Sequence, residues 1–251
     1  MAVSTSLTFN DNAVLNQVFD PESAPTVGTL VDAQLPADPH VTDATTLGWI
    51  KSKEKEIILK VEKAMPSTTN REMNDDVLNE AWIELSQLIE QYPDCASLHA
   101  NRAQVFRIQH GNDAFVTTAE NINERLDSKA SQVLLDLDTA IELLNPVMPQ
   151  AALSAMQCRT LSQSYMQRGA LYHAAAKIMI ATPGARVTVT SIAHWTALDF
   201  QEAASKDFFM AGRYGNDIGK ALAAHTNSTA KLCGQMVQEA MRREYGSNVQ
   251  S

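Results

Sequence analysis

The chain has 251 residues, of which 45% are hydrophobic and 20% are charged, and its formal net charge is −9. This length supports a sizeable core in one large domain or two small ones. The acidic balance argues against a nucleic-acid-binding surface, which needs clustered lysine and arginine. Only ten residues are glycine, and long stretches rich in Ala, Leu, Gln, Glu and Met favour an all-α fold.

Sorting signals and cysteine usage bear on the cellular compartment. No apolar stretch near Met1 has the length or basic flank of a signal peptide, and the most apolar run, residues 170–181, is too short to span a bilayer. Cys95, Cys158 and Cys233 lie far apart and are odd in number, which favours a reducing compartment. We therefore expect a cytoplasmic protein, and the sequence leaves a nuclear pool open.

The first 46 residues are predicted to form a short helix and an acidic, proline-containing arm. The helix covers residues 10–21 and has apolar pairs four residues apart, Val14 with Val18 and Leu15 with Phe19. It is too short to be stable alone, so it must dock. The segment from Pro21 to about Thr46 holds four prolines and no aromatic residue, which predicts a linker or disordered arm. One hypothesis is that the helix fills a groove in the rest of the chain until a partner displaces it.

Helical periodicity dominates from residue 47 to 245, before a polar tail at 246–251, and two sequence patterns recur within it. "NRAQVF", beginning at Asn101, returns as "QRGALY", beginning at Gln167. In both copies a small residue three positions before an aromatic lets a neighbouring helix approach closely. The second pattern lies on the partner helices and consists of three buried residues, the second four positions after the first and the third three positions after the second. Together the patterns predict the residues that pack the repeats: Ala81, Leu85, Leu88, Pro93, Ala103, Val133, Leu137, Ala140, Gly169, Ala204, Phe208 and Ala211.

These patterns predict an all-α solenoid of three tetratricopeptide-like helix pairs and a C-terminal capping helix. The pairs cover about 47–93, 95–146 and 150–213, and the cap follows over about 216–240. The first helix of the first pair lacks a clear small residue, so its register stays open. The helix pairs are longer than the standard tetratricopeptide unit of about 34 residues. The additional residues fall in two insertions, 112–128 and 177–196, at connections between helices, where binding specificity tends to lie.

The sequence resembles the tetratricopeptide repeat protein 36 family. Four stretches carry the resemblance: "NDNAVLNQVFDP" with the acidic arm after it, "ASLHANRAQVFRIQHG" followed by "VLLDLDTAIELL", "SQSYMQRG", and "DFFMAGRYGNDIGKALAAHTNSTAKLCGQMV". The resemblance spans nearly the whole chain in order, and the two insertions mark a diverged member. It implies an adaptor without catalytic activity, Hsp70-type chaperone binding, and a role in tyrosine catabolism, where one member is linked to stabilising 4-hydroxyphenylpyruvate dioxygenase.

The chaperone role implied by the resemblance can be compared with individual residues. Repeat domains that clamp the carboxylate tail of a chaperone use an asparagine that matches Asn101. They also use lysine and arginine at positions that match Gln163 and Gln167. Because a glutamine cannot supply the charge-assisted hydrogen bonds that hold a carboxylate, we expect any chaperone contact to use another surface.

The first helices of the pairs are expected to line a concave surface that receives a segment of a partner protein. Several of the candidate residues also fit a structural role, since arginines pair with neighbouring helices, aromatics pack between repeats, and a groove asparagine can satisfy backbone groups. Both roles stay open. The candidates are Asn101, Arg102, Phe106, Gln163, Tyr165, Gln167, Arg168 and Tyr172.

No catalytic or metal-binding motif is visible in the sequence. The six histidines show no HxxxH or HExxH spacing and no cysteine in register, and no nucleophile–base pair appears. We therefore expect no enzyme activity, no metal and no cofactor. An alternative function is regulation of a metabolic enzyme through a small-molecule pocket at residues 177–196, lined by His194 and Trp195.

Overall fold

The computed structural model describes residues 29–64, 71–117, 124–148 and 150–227, with Met236, Val237, Glu239 and Arg242 further on. The predicted helix at 10–21, the polar tail and most of the predicted cap beyond residue 227 lie outside the described residues. Seven helices and two short strands organise the described part. They are α1 (Ala44–Ala64), α2 (Arg71–Gln91), α3 (Ala96–His110), β1 (Val116–Thr117), α4 (Glu124–Leu144), α5 (Ala155–Ala181), β2 (Arg186–Val187), α6 (Ala197–Arg213) and α7 (Asp217–Thr226).

The helices pack side by side in chain order. Contacts join α1 to α2, α3 to α4 and α5 to α6 as antiparallel pairs, and each pair packs on the next through α2–α3 and α4–α5. The first helices also contact one another, α1 with α3 and α3 with α5, and α7 covers α6. The predicted all-α solenoid of three helix pairs with a cap is thereby confirmed.

Local capping signals decide where the later helices begin. Ser154 and Gln157 form a reciprocal capping box at the start of α5, and Thr196 and Asp199 form another at α6. The Asn216 side chain accepts a hydrogen bond from the amide of Gly219 at the start of α7. These bonds satisfy amides that have no partner inside the helix, which fixes each helix start against the preceding turn.

The predicted packing residues are buried between the helices, with one exception. Leu85, Leu137 and Phe208 are each at most 1% exposed. Leu85 belongs to one core cluster, with residues of α1, α2 and α3, and Leu137 and Phe208 belong to a second, with residues of α3, α4, α5 and α6. Pro93 is exposed in the turn after α2, so its prediction as a packing residue is wrong. It ends the helix, because proline cannot continue it, and contributes its carbonyl group to a buried histidine.

The two predicted insertions are parts of one structure. Antiparallel strands β1 and β2 pair Val116 with Val187, and the amide of Thr188 donates to the carbonyl of Phe115 at 3.0 Å. The Phe115 side chain is 1% exposed and belongs to the same core as Tyr172. The described parts of these insertions therefore extend the core, because each contributes apolar side chains to that cluster.

Residues 29–43, which we call the strap, run across the junctions between helix pairs. Val31 forms a parallel bridge with Leu153, just before α5. The strap has no regular secondary structure, as the prolines predict, but it is bound to the solenoid. The prediction of a free linker is therefore wrong for this segment, because composition cannot show hydrogen bonds to distant backbone groups.

Candidate protein-interaction surface

A cation–carboxylate pair joins the two helices of each pair at the same place in the repeat. The nitrogen–oxygen distances are 2.9 Å in the first pair, 2.7 Å in the second and 2.8 Å in the third. The acid always directly precedes the large residue of the second-helix pattern. The pairs are Lys60 with Glu84, Arg102 with Asp136, and Arg168 with Asp207.

This regularity settles the register that the sequence leaves open. Lys60 takes the position of Arg102, so Val61, which is 4% exposed, takes the position of the small residue Ala103. The sequence analysis missed the acidic partners. The signal was present, since an acid precedes Leu137 and Phe208 while an arginine precedes Ala103 and Gly169.

Asp136 is the centre of a closed polar network in the second pair. Its carboxylate accepts two hydrogen bonds from Arg102, both of 2.7 Å, and one from His99 Nδ1 at 3.0 Å. Burial disfavours the charge of Asp136, but the hydrogen bonds from His99 and Arg102 outweigh it and lower its pKa. The Arg102 guanidinium also lies 5.3 Å from the ring of Trp82. All of these partners are inside the protein, so the prediction of Arg102 as a partner contact is wrong.

Arg168 joins the two helices of the third pair to each other and to the second helix of the second pair. It donates hydrogen bonds to both carboxylate oxygens of Asp207 on α6, each 2.8 Å long, and one of 2.6 Å to Asp138 on α4. Burial opposes its charge, but the hydrogen bond and charge of Asp207 prevail and raise the pKa of Arg168. Its guanidinium lies 5.5 Å from the ring of Tyr165 and 5.9 Å from that of Tyr172. Arg168 therefore holds helices together.

The predicted aromatic contacts also lie inside the fold. Phe106 is 1% exposed, Tyr165 is 6% and Tyr172 is 7%, so none presents a free face to a partner. Tyr165 stacks on Tyr214, with ring centroids 5.9 Å apart. The prediction that these three residues are groove contacts is therefore wrong. They pack between helices, because nearby small residues let a neighbouring helix cover their rings.

A second set of hydrogen bonds joins consecutive first helices. Asn101 Nδ2 on α3 donates to Glu54 on α1 at 2.9 Å, and Gln167 Nε2 on α5 donates to the carbonyl of Ala100 at 3.2 Å. Gln167 is 7% exposed, and its Oε1 atom has no hydrogen-bond partner within the described part of the chain. The prediction of Gln167 as a partner contact is therefore wrong, because its side chain forms a hydrogen bond between two helices of the solenoid. Gln163 is exposed and Asn101 half-buried, so these two predicted residues stay accessible.

Glu54 is a buried acid next to this surface. It is 6% exposed, and burial raises its pKa more than the hydrogen bonds from Ser97 and Asn101 lower it. No lysine or arginine forms a salt bridge with it among the residues the structure covers. The face formed by the first helices therefore combines accessible side-chain amides with a buried carboxyl group that has hydrogen-bond donors but, among the described residues, no salt-bridge partner.

An open cleft of about 420 Å³ lies beside the second insertion. Trp195 forms one wall, and its ring packs on Tyr172 and Phe200 with centroid distances of 5.4 and 5.1 Å. The cleft presents charges of both signs and one indole ring. Its lining residues are His194, Trp195, Asp199, Glu202, Ala203 and Lys206.

The described residues also include two buried cysteines, Cys95 and Cys158. Burial raises the pKa of the Cys95 and Cys158 thiols, which disfavours the thiolate that attacks substrates. Among the residues of known placement, no three His, Cys, Asp or Glu side chains form a metal-binding group. In the same part of the chain, no helix is both long and apolar enough to cross a membrane.

Comparison with known proteins places the chain in a family. No protein-family model matches it, and no solved structure matches it either. Over 247 residues it is 32% identical to the L-tyrosine degradation gene cluster protein hmgX of Aspergillus fumigatus, and the alignment covers 95% of this chain and 93% of that protein. The chain therefore belongs to the family of the L-tyrosine degradation gene cluster protein hmgX.

Proposed function

We propose that this protein is a non-catalytic adaptor of the tetratricopeptide repeat type, that it serves L-tyrosine degradation, and that it works in the cytoplasm. The name of its relative supports the metabolic assignment. The stacked helix pairs support the adaptor assignment, because stacking leaves one face of each first helix free for a partner. The proposed partner is an enzyme of tyrosine degradation.

One observation carries this proposal: the first helices form a continuous row joined by polar side chains. Asn101 connects α3 to α1 and Gln167 connects α5 to α3, so the amide groups lie on neighbouring helices. Gln104 and Gln163 are exposed on the same two helices. Side-chain amides both donate and accept hydrogen bonds, which suits a polar partner segment rather than a single carboxylate.

The Hsp70 association that the family resemblance implies remains a separate part of the proposal. Neither Gln163 nor Gln167 carries the positive charge that a carboxylate clamp needs, and Gln167 is already bound to Ala100. We therefore propose that any chaperone contact uses a surface away from α3 and α5.

Affinity capture with the full-length chain tests the adaptor role. Tagged wild type, Asn101→Ala, Gln163→Ala and the control Gln87→Ala would be purified from cells grown on L-tyrosine. Gln87 is an exposed glutamine on α2, so its substitution removes a side-chain amide from a helix outside the first-helix face. We expect wild type and Gln87→Ala to recover tyrosine-degrading enzymes and Gln163→Ala to recover less. Equal recovery by all variants, at equal helicity, would remove the first-helix face from the proposal.

The cleft beside Trp195 favours a second candidate, in which an aromatic acid or amino acid regulates the adaptor. An aromatic ligand would stack on the indole, while Lys206 would hold its carboxylate. Thermal unfolding of wild type and Lys206→Ala with aromatic acids tests this. Ligand at about 100 times its dissociation constant should stabilise the wild type by about 2.7 kcal/mol and the variant by less. An unchanged melting temperature would reject the pocket.

A further inference from the structure

The strap contacts the ends of successive helix pairs through both main-chain and side-chain hydrogen bonds, and its contacts with Leu153 are main chain to main chain. The amide of Asp32 donates to the carbonyl of Leu153 at 2.9 Å, and the amide of Leu153 donates to the carbonyl of Leu30 at 2.9 Å. The Thr29 hydroxyl donates to the carbonyl of Arg213 at 3.3 Å, so the strap also reaches the end of α6.

The second half of the strap continues along the same edge toward the first pair. The Ser154 hydroxyl donates to the carbonyl of Ala37 at 3.2 Å, and His40 Nε2 donates to the carbonyl of Leu143, at the end of α4, at 2.8 Å. Val41 packs against the core cluster of α1 and α2. A single segment therefore contacts all three helix pairs.

These contacts hold the strap without burying much apolar surface. Leu30 is 57% exposed and Val31 is 53% exposed, although both lie where the strap pairs with Leu153. Exposed backbone hydrogen bonds with few apolar contacts characterise segments that open locally. The strap can therefore leave while the helix cores stay intact.

The negative charge of Asp38 also opposes the strap, as the smallest of the effects on the pKa of Glu54. Asp38 is 4% exposed, and its carboxylate accepts hydrogen bonds from the amides of His40 and Val41. Burial is the main cause of the raised pKa of Glu54, and the negative charge of Asp38 adds to it. Binding the strap thus brings a second acid close to a buried one, and releasing the strap separates them.

We infer that the edge under the strap is a binding site for an extended segment of a partner protein, and that the strap is its internal, releasable occupant. This inference rests on the proposed adaptor function and adds regulation to it. The partner segment must offer a carbonyl and an amide two residues apart, as Leu30 and Asp32 do, because Leu153 presents one amide and one carbonyl. Main-chain pairing of this kind gives affinity with little demand on side chains.

The test uses the full-length chain with a weakened strap. Asp32→Pro removes the amide that donates to Leu153, and proline suits this site because the preceding residue, Val31, is extended. His40→Ala removes the donor to Leu143 and is the milder second variant. Gln34→Ala is the control, since this strap residue is exposed. The measurements are hydrogen–deuterium exchange at Leu153 and fluorescence anisotropy with a labelled synthetic peptide of residues 29–43.

We expect the Leu153 amide to exchange roughly fivefold faster for each strap hydrogen bond removed, with an equal gain in affinity for the peptide. Gln34→Ala should behave as wild type. Unchanged exchange in both weakened variants would show that the strap is not releasable. Faster exchange without peptide binding would show that the edge is not a site, and a stable dimer in light scattering would make a second copy the occupant.

The peptide measurement contains no enzyme of tyrosine degradation. Peptide binding with a negative affinity capture would therefore support the strap site and reject the proposed partner. No peptide binding together with a positive affinity capture would reject the strap site and support the adaptor function.

Discussion

Arg102 and Asp136 join the helices of the middle pair through two parallel hydrogen bonds of 2.7 Å, at a place where the carboxylate is fully buried. A cation–carboxylate pair recurs at the same place in the first pair, as the partly exposed Lys60 with Glu84, and in the third, as Arg168 with Asp207. Each ties the first helix of a pair to the second, next to the large residue of the core. The solenoid is thus built from a repeated polar contact as well as a repeated apolar one.

Removing the Asp136 carboxylate should destabilise the protein strongly. Asp136→Ala leaves Arg102 buried without its partner, and we expect a loss of about 3–5 kcal/mol in the free energy of unfolding. Asp138→Ala is the control on the same helix, because that carboxylate is 45% exposed, and it should cost less than about 1 kcal/mol. Urea denaturation at pH 7 measures both. Equal effects would mean that the buried network is not what stabilises the middle pair.

Glu54 should make the protein less stable as the pH rises. Burial raises its pKa above the ordinary 4.5, so the folded chain binds this proton more tightly than the unfolded chain does. From about pH 4.5 up to the raised pKa, stability therefore falls as the pH rises, and the penalty is complete above it. Glu54→Gln removes the charge and keeps an oxygen for Asn101. We expect a higher urea midpoint than wild type at pH 7 and a smaller difference at pH 4.5.

The matched control for this pH dependence is Glu56→Gln. Glu56 lies on the same helix but is exposed, and the hydrogen bond from Lys53 lowers its pKa. Its substitution should not raise the midpoint at pH 7. A rise in both variants would assign the effect to net charge rather than to the buried position.

Glycine is required where α7 crosses α6. A Cβ atom on Gly219 would lie 2.9 Å from the carbonyl oxygen of Phe208 and 3.0 Å from the amide nitrogen of Gly212, and neither backbone group can move aside. We expect Gly219→Ala to destabilise the protein by about 1–3 kcal/mol. Gly48→Ala, in a helix with open space around it, should stabilise by about 0.5–1 kcal/mol. Thermal unfolding compares the two, and a stabilising Gly219→Ala would contradict the close crossing.

Phe115 should behave as a core residue although it lies in an insertion. Its side chain is 1% exposed, so Phe115→Ala should cost about 3–5 kcal/mol. Phe209→Ala removes the same side chain where it is 56% exposed and should change stability by about 0.5 kcal/mol or less. Chemical denaturation of the two variants decides the matter. A small effect at Phe115 would return the first insertion to the role of a surface loop.

Much of the fold could be predicted because its signals are local. Periodic apolar residues and helix-ending prolines located the helix pairs, and the small residues Ala103 and Gly169 located the close approaches between helices. The candidate surface was harder to predict. Arg102 and Tyr172 have the chemistry of partner contacts, but both side chains are buried in the fold. The sequence could not show this, because the residues that cover them are distant in the chain.

The sequence by itself determined the class of the protein, since helical periodicity and capping depend on residues three or four positions apart. Only the tertiary structure decided which polar groups are free. Asp136 meets Arg102 across 34 residues, β1 meets β2 across the two insertions, and the strap binds Leu153 across more than a hundred residues. Hydrogen bonds and burial at such separations depend on how the helices stack, which no local pattern encodes.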